Sequence, residues 1–186
     1  RLRSHRGSGR KLASRTIGNQ RSSPEDAFRK RLRSTTALNA LRTASPTLRD
    51  TRDVVLLAVA RDGHAILFAS DALRADRACA LAAVRQSGAA LQSCAPALRD
   101  DDEVVSEAVA CDGKALCWAS ERLREDPRIV VRAATQCVDA LKYCSAGDDI
   151  ERWRQIMITC CSKNGLALRH AARRGEPWCD DRAIVE

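Results

Sequence analysis

Four consecutive stretches of 25 residues align end to end without a gap, and this fixed period constrains the fold more than any other property of the chain. They read ASPTLRDTRDVVLLAVARDGHAILF from Ala44, ASDALRADRACALAAVRQSGAALQS from Ala69, CAPALRDDDEVVSEAVACDGKALCW from Cys94 and ASERLREDPRIVVRAATQCVDALKY from Ala119. A fifth block starts at Cys144 with a two-residue insertion, and a sixth at Ala171. A 25-residue unit cannot bury an apolar face alone, so neighbouring blocks must stack and share one core.

The apolar spacing inside each block is helical. Val54, Val55, Ala58 and Val59 form one stripe of a first helix. A second helix is predicted through Ala65, Ile66, Ala69 and Leu73. Thr51, Asp76, Asp101 and Asp126 are suited to cap the first helix, and Pro127 fits its first position. Asp62-Gly63, Ser87-Gly88 and Asp112-Gly113 read as its end, with glycine in the left-handed conformation. Val138 replaces that glycine in the fourth block, where a different turn is expected. One small residue recurs on each helix: Ala58, Ala83, Ala108, Ala133 and Cys160 on the first, Ala40, Ala65, Ala90, Ala115, Ala140 and Ala167 on the second. Small residues at fixed positions let helix backbones approach closely.

The fold class is therefore all-α, an α-solenoid-like array of short two-helix repeats. Residues 1–24 form a basic arm expected to be disordered, 25–43 a partial repeat or N-terminal cap, 44–170 the array and 171–186 a truncated further repeat. A chain that begins at Arg1 and stops within a repeat reads as a fragment. Leu98→Asp is expected to melt several repeats together, because the blocks share a core.

The pattern L-R-x-D-x-x-V-V-x-x-A-V-x-x-x-G-x-A-L-x-x-A-S is carried by Leu98, Arg99, Asp101, Val104, Val105, Ala108, Val109, Gly113, Ala115, Leu116, Ala119 and Ser120. It resembles the repeat known as domain of unknown function 4116, over about two-thirds of the chain. The resemblance implies tandem helical repeats and no catalytic residues.

The net charge of +8 is unevenly placed. Residues 1–33 hold eleven Lys/Arg and two acids; the remainder holds twenty-one and twenty-two. A basic arm suits nucleic acid, an anionic membrane surface or an organelle transit segment, and a plain linker reading is equally open. The near-neutral array carries no such signal. No apolar run approaches the length of a membrane span.

Nine cysteines, with no Cys-x-x-Cys pair and only Cys94 and Cys144 at a shared position, read as reduced thiols of an intracellular, cytoplasmic protein. His5, His64 and His170 belong to no metal-ligand spacing or nucleophile motif, and no phosphate or dinucleotide loop occurs. The sequence thus offers no catalytic, cofactor or metal site.

Two recurrent rows are the candidate ligand-facing residues. Arg49, Arg74, Arg99 and Arg124 share one position, as a ladder for phosphates or acidic peptides, or as cations that favour helix C-termini. Phe68, Trp118 and Tyr143 share another, interrupted by Ser93, either lining a groove or filling the joints between repeats. The function expected from these features is a noncatalytic interaction or scaffolding module. Its alternatives are nucleic-acid binding through the arm and a regulatory piece of a larger enzyme.

Overall fold

A computed structural model describes residues 23–145, 150–163 and 165–167. They are helical throughout their regular structure, with no strand among the described residues. Most of the expected arm, residues 1–22, and the whole of 171–186 lie outside them.

Each block opens its core element where the sequence places a cap. The long helices are Arg52–Val59, Arg77–Gln86, Asp102–Cys111 and Pro127–Gln136. Asp76, Asp101 and Asp126 each accept a hydrogen bond from a backbone N–H in the first turn, at 2.7–3.2 Å. Thr51 does not act this way: its hydroxyl donates to the Thr47 carbonyl at 2.9 Å instead. The predicted apolar stripe is buried in every block, as with Val54, Val55, Ala58 and Val59 in the first and Val104, Val105, Ala108 and Val109 in the third.

The end of the long helix differs from the expected left-handed glycine turn. Asp62, Ser87, Asp112 and Cys137 are extended, with φ between −141° and −152°. The next residue then begins a six-residue 3-10 helix: Gly63–Phe68, Gly88–Ser93, Gly113–Trp118 and Val138–Tyr143. Asp62 and Asp112 cap these helices, accepting from the N–H of His64 and Lys114 at 3.0 and 2.9 Å. Asp-Gly is thus a cap followed by a first helical residue. Val138 keeps this local geometry, contrary to the altered turn expected of it.

The glycines are required by the neighbouring repeat. A Cβ at Gly63 or Gly88 would lie 2.5 Å from the carbonyl oxygen of Ala83 or Ala108, twenty residues onward, and closer still at Gly113 to that of Ala133. No side chain fits between those backbones. Val138 stands where the following block carries the two-residue insertion, and that block holds a longer helix, Ile150–Lys163. It buries Trp153, Ile156, Met157 and Cys160.

The predicted second helix is broken in two. After the 3-10 helix, Ala69, Cys94 and Ala119 are extended, with ψ near 160°. A short helix follows: Pro46–Arg49, Asp71–Arg74, Pro96–Asp100 or Glu121–Arg124. The break has a tertiary cause. The N–H groups of Ser70, Ala95, Ser120 and Ser145 donate to the carbonyls of Arg49, Arg74, Arg99 and Arg124 in the preceding block, at 3.0, 3.0, 2.8 and 3.2 Å. A continuous helix would use those N–H groups internally. Ser45, Ser70 and Ser120 then cap the short helices. Pro96 opens the one that lacks a serine cap.

Each long helix packs on its predecessor and its successor, giving one continuous core. The recurrent small residues Ala58, Ala83, Ala108 and Ala133 are wholly inaccessible, as are Ala40, Ala65, Ala90 and Ala140. The first segment joins the same core. Its helix Pro24–Ser34, capped by Ser23, buries Phe28 and Leu32, and Arg61 Nη1 donates to the Leu32 carbonyl at 2.6 Å.

Candidate functional site

The four recurrent arginines stand in the last turn of the short helices, where a cation is favoured by the exposed carbonyls. Their own carbonyls receive the single backbone bond from the next block. Their side chains are not equivalent. Arg74 Nε donates to the Ser93 carbonyl at 2.8 Å, and its Nη1 pairs with Asp71 at 3.1 Å. Arg49, Arg99 and Arg124 bury Nε with no hydrogen-bond partner. Among the described residues no ion pair reaches their guanidinium groups, and all three residues are half-buried.

Ser93 holds the position of Phe68, Trp118 and Tyr143 in its block. The Arg74–Ser93 bond therefore places the arginine row against the aromatic row. The backbone bonds repeat this placement, because the donor N–H of Ser70, Ser120 or Ser145 lies two residues after Phe68, Trp118 or Tyr143. Phe68 and Trp118 are half-buried against the core, whereas Tyr143 is 38% exposed. The two sequence rows form one strip. The blocks that carry an aromatic are those that leave the arginine Nε unpaired, and the block with serine is the one that pairs it.

Several other charges bind block to block. Arg52 meets Asp76 at 3.3 Å, Arg77 meets Asp101 at 3.1 Å and also Glu103, and Arg85 meets Glu107 at 3.0 Å. At the next junction the polarity reverses, and Arg122 reaches back to Asp100 and Asp102 at 3.0 and 3.2 Å. The Ser120 hydroxyl and then the Arg122 guanidinium hold the Asp100 carboxyl below its ordinary range. Partial burial pushes Asp101 up, but the N–H groups of Val104 and Glu103 and the Arg77 guanidinium outweigh it and leave it lowered. The acidic run 100–103 is thus more than a helix start, since it also anchors arginines of both neighbouring blocks. A groove bordered by Asp102, Glu103, Glu107 and Asp126 and by Arg122, Arg128 and Arg132 carries both signs and presents no single-sign field.

The eight described cysteines are all free thiols. Burial pushes Cys94 up to about 11, against a smaller opposing pull from Arg74 and Arg99. Burial, then Cys161 and Cys144, push Cys160 up to about 12. Cys111 is exposed and lies 3.9 Å from the Arg85 carbonyl. Because the thiolate is the reacting form, among the eight described cysteines a maleimide should label the exposed Cys111 first, with the buried Cys94 and Cys160 about a hundredfold or more slower than an ordinary exposed thiol. Peptide mapping of a labelling time course checks this; equal rates would contradict their burial. Among the described residues no group of three or more His, Cys, Asp and Glu is arranged to hold a metal ion. Among them, too, no helix is long and apolar enough to cross a membrane.

A family model described as Domain of unknown function (DUF4116) matches residues 51–99 and again residues 101–147, just over half of the chain. The chain belongs to the DUF4116 family. Each DUF4116 unit spans two 25-residue blocks, so the structural period is half that of the family unit. No curated protein and no solved structure matches the chain. The family assignment agrees with the tandem helical architecture and brings no activity with it.

Proposed function

We propose that this DUF4116 array is a noncatalytic protein-interaction module. The observation that carries the reading is the merged strip of Arg49, Arg99 and Arg124 with Phe68, Trp118 and Tyr143. Arginine and large aromatics are the side chains most enriched where proteins bind one another. Here they recur at fixed positions of the block on a continuous core. Residues 34–186 as a whole are close to electrically neutral, and several of their charges pair between blocks. An array of immobilised peptides probed with the full chain tests the reading. Sequence-selective capture of peptides is expected, and no capture of any peptide would sink it.

A second reading is favoured by the balance of +9 within residues 1–33. The arm would then bind nucleic acid through phosphate contacts, with affinity falling steeply as salt rises. A gel shift of the full chain with single- and double-stranded DNA at 50 and 200 mM salt separates the two. No shift at low salt removes the nucleic-acid reading.

A further inference from the structure

We infer that the strip binds an extended, polyproline-type segment of a partner protein that carries an acidic residue at every third position. This deepens the interaction-module reading and rests on it.

The arginines set the spacing. Arg99 and Arg124 hold the same position in successive blocks. The Arg99 carbonyl meets the Ser120 N–H at 2.8 Å, and Arg124 lies one helical turn, about 5–6 Å, beyond Ser120, which sets successive arginines about 8–10 Å apart. A polyproline II helix makes one turn in three residues and rises about 9 Å per turn. Residues three apart therefore lie on one face at about the spacing of the arginines. A β-strand puts residues three apart on opposite faces, so it does not match this ladder.

The chemistry of the two rows selects the same ligand. Guanidinium groups with no acid partner among the described residues suit carboxylates, which accept paired N–H groups from arginine. Trp118 and Tyr143 stand two residues before the N–H groups that bond the Arg99 and Arg124 carbonyls. Aromatic-lined grooves take up proline-rich segments, whose conformation is already set before binding. Acidic side chains would face the arginine row, and prolines on the adjoining face would rest on the aromatics. Arg74 is already engaged by Asp71 and Ser93, and its block lacks the aromatic. The principal seat is therefore the Arg99–Arg124 pair, with Arg49 a further contact two blocks away.

The test uses the full chain and a fluorescent peptide of four Glu-Pro-Ala repeats, measured by polarisation. The comparison peptide has the same composition with its glutamates consecutive. The regular peptide should bind about tenfold tighter or more, because only its acids match the spacing of the arginines. Arg99→Met with Arg124→Met should remove that preference. The same pair should leave the melting temperature unchanged or raised, since it deletes two buried N–H groups that lack partners. Arg128→Ala, at a side chain 93% exposed outside the row, should bind as the parent does. Equal affinity for the two peptides, or an Arg-to-Met double variant that keeps the preference, would overturn the inference. Tighter binding of an oligothymidylate that is lost in the double variant would assign the strip to nucleic acid and overturn it as well. If the peptide array captures only peptides lacking this spacing, the inference fails while the interaction-module reading stands. If it captures none, both fail.

Discussion

Gly88→Val should lower the melting temperature of the chain by about 10 °C. The new Cβ would sit 2.5 Å from the Ala108 carbonyl oxygen and 2.9 Å from Asp112 Cβ, both parts of the next block. One of these is backbone and cannot rotate away, so the blocks must separate. Overpacking of this kind costs about 1–3 kcal/mol and sometimes more. In a chain of this size each kcal/mol moves the midpoint by a few degrees. Gly88→Ala gives a sharper comparison. An alanine that fits its site stabilises by about 0.4–1 kcal/mol, by restricting the unfolded chain. At Gly88 the sign should reverse, because the same carbonyl is in the way. Gly165→Ala is the internal control: nothing lies within 4 Å of its Cβ, and it should be neutral or stabilising. Thermal unfolding of the three variants followed by circular dichroism decides the matter. A stabilising Gly88→Ala would mean that the blocks do not touch there.

Val105→Asp should unfold several blocks at once. Val105 is wholly inaccessible and sits midway along Asp102–Cys111, a helix packed on both neighbouring long helices. An unpaired carboxylate there costs more than about 4 kcal/mol, or forces the group to stay protonated. Leu98→Asp, at a residue 8% exposed on a shorter element, should act in the same direction and less severely. In stacked repeats each unit is held chiefly by its neighbours, so the loss should spread along the chain. Hydrogen exchange should show protection falling together across Arg77–Gln86, Asp102–Cys111 and Pro127–Gln136. Exchange confined to one block would show that the blocks fold independently.

The period, the aspartate caps and the buried positions were legible because they are local properties. An aspartate before a helix, or a valine pair four residues from an alanine, carries its meaning in the nearby chain. Two features escaped that reading because their causes lie in the next block. Asp62-Gly63 suits either a helix end or a helix start. What decides it is the Ala83 carbonyl, which no local pattern encodes. The second helix breaks at Ala69-Ser70 because the Ser70 N–H is drawn to the Arg49 carbonyl. The candidate site was half legible. Each row stands out as a recurrent residue type, but arginine is sixth in its block and the aromatic is last. Only the folded block puts them side by side.

The bonds that tie one block to the next have a consequence for how such a chain changes length. The glycine contact, the backbone bond and the caps span twenty, twenty-one and two or three residues, and each recurs in phase. A duplicated or deleted stretch of 25 residues therefore finds every partner it needs, wherever the cut is made. A partial unit leaves a carbonyl unmatched or a side chain where only glycine fits. The two-residue insertion after Cys144 coincides with the loss of that glycine at Val138. Gene-level growth by whole blocks would lengthen the arginine strip one rung at a time, tuning how long a ligand is held without altering the contact that holds it.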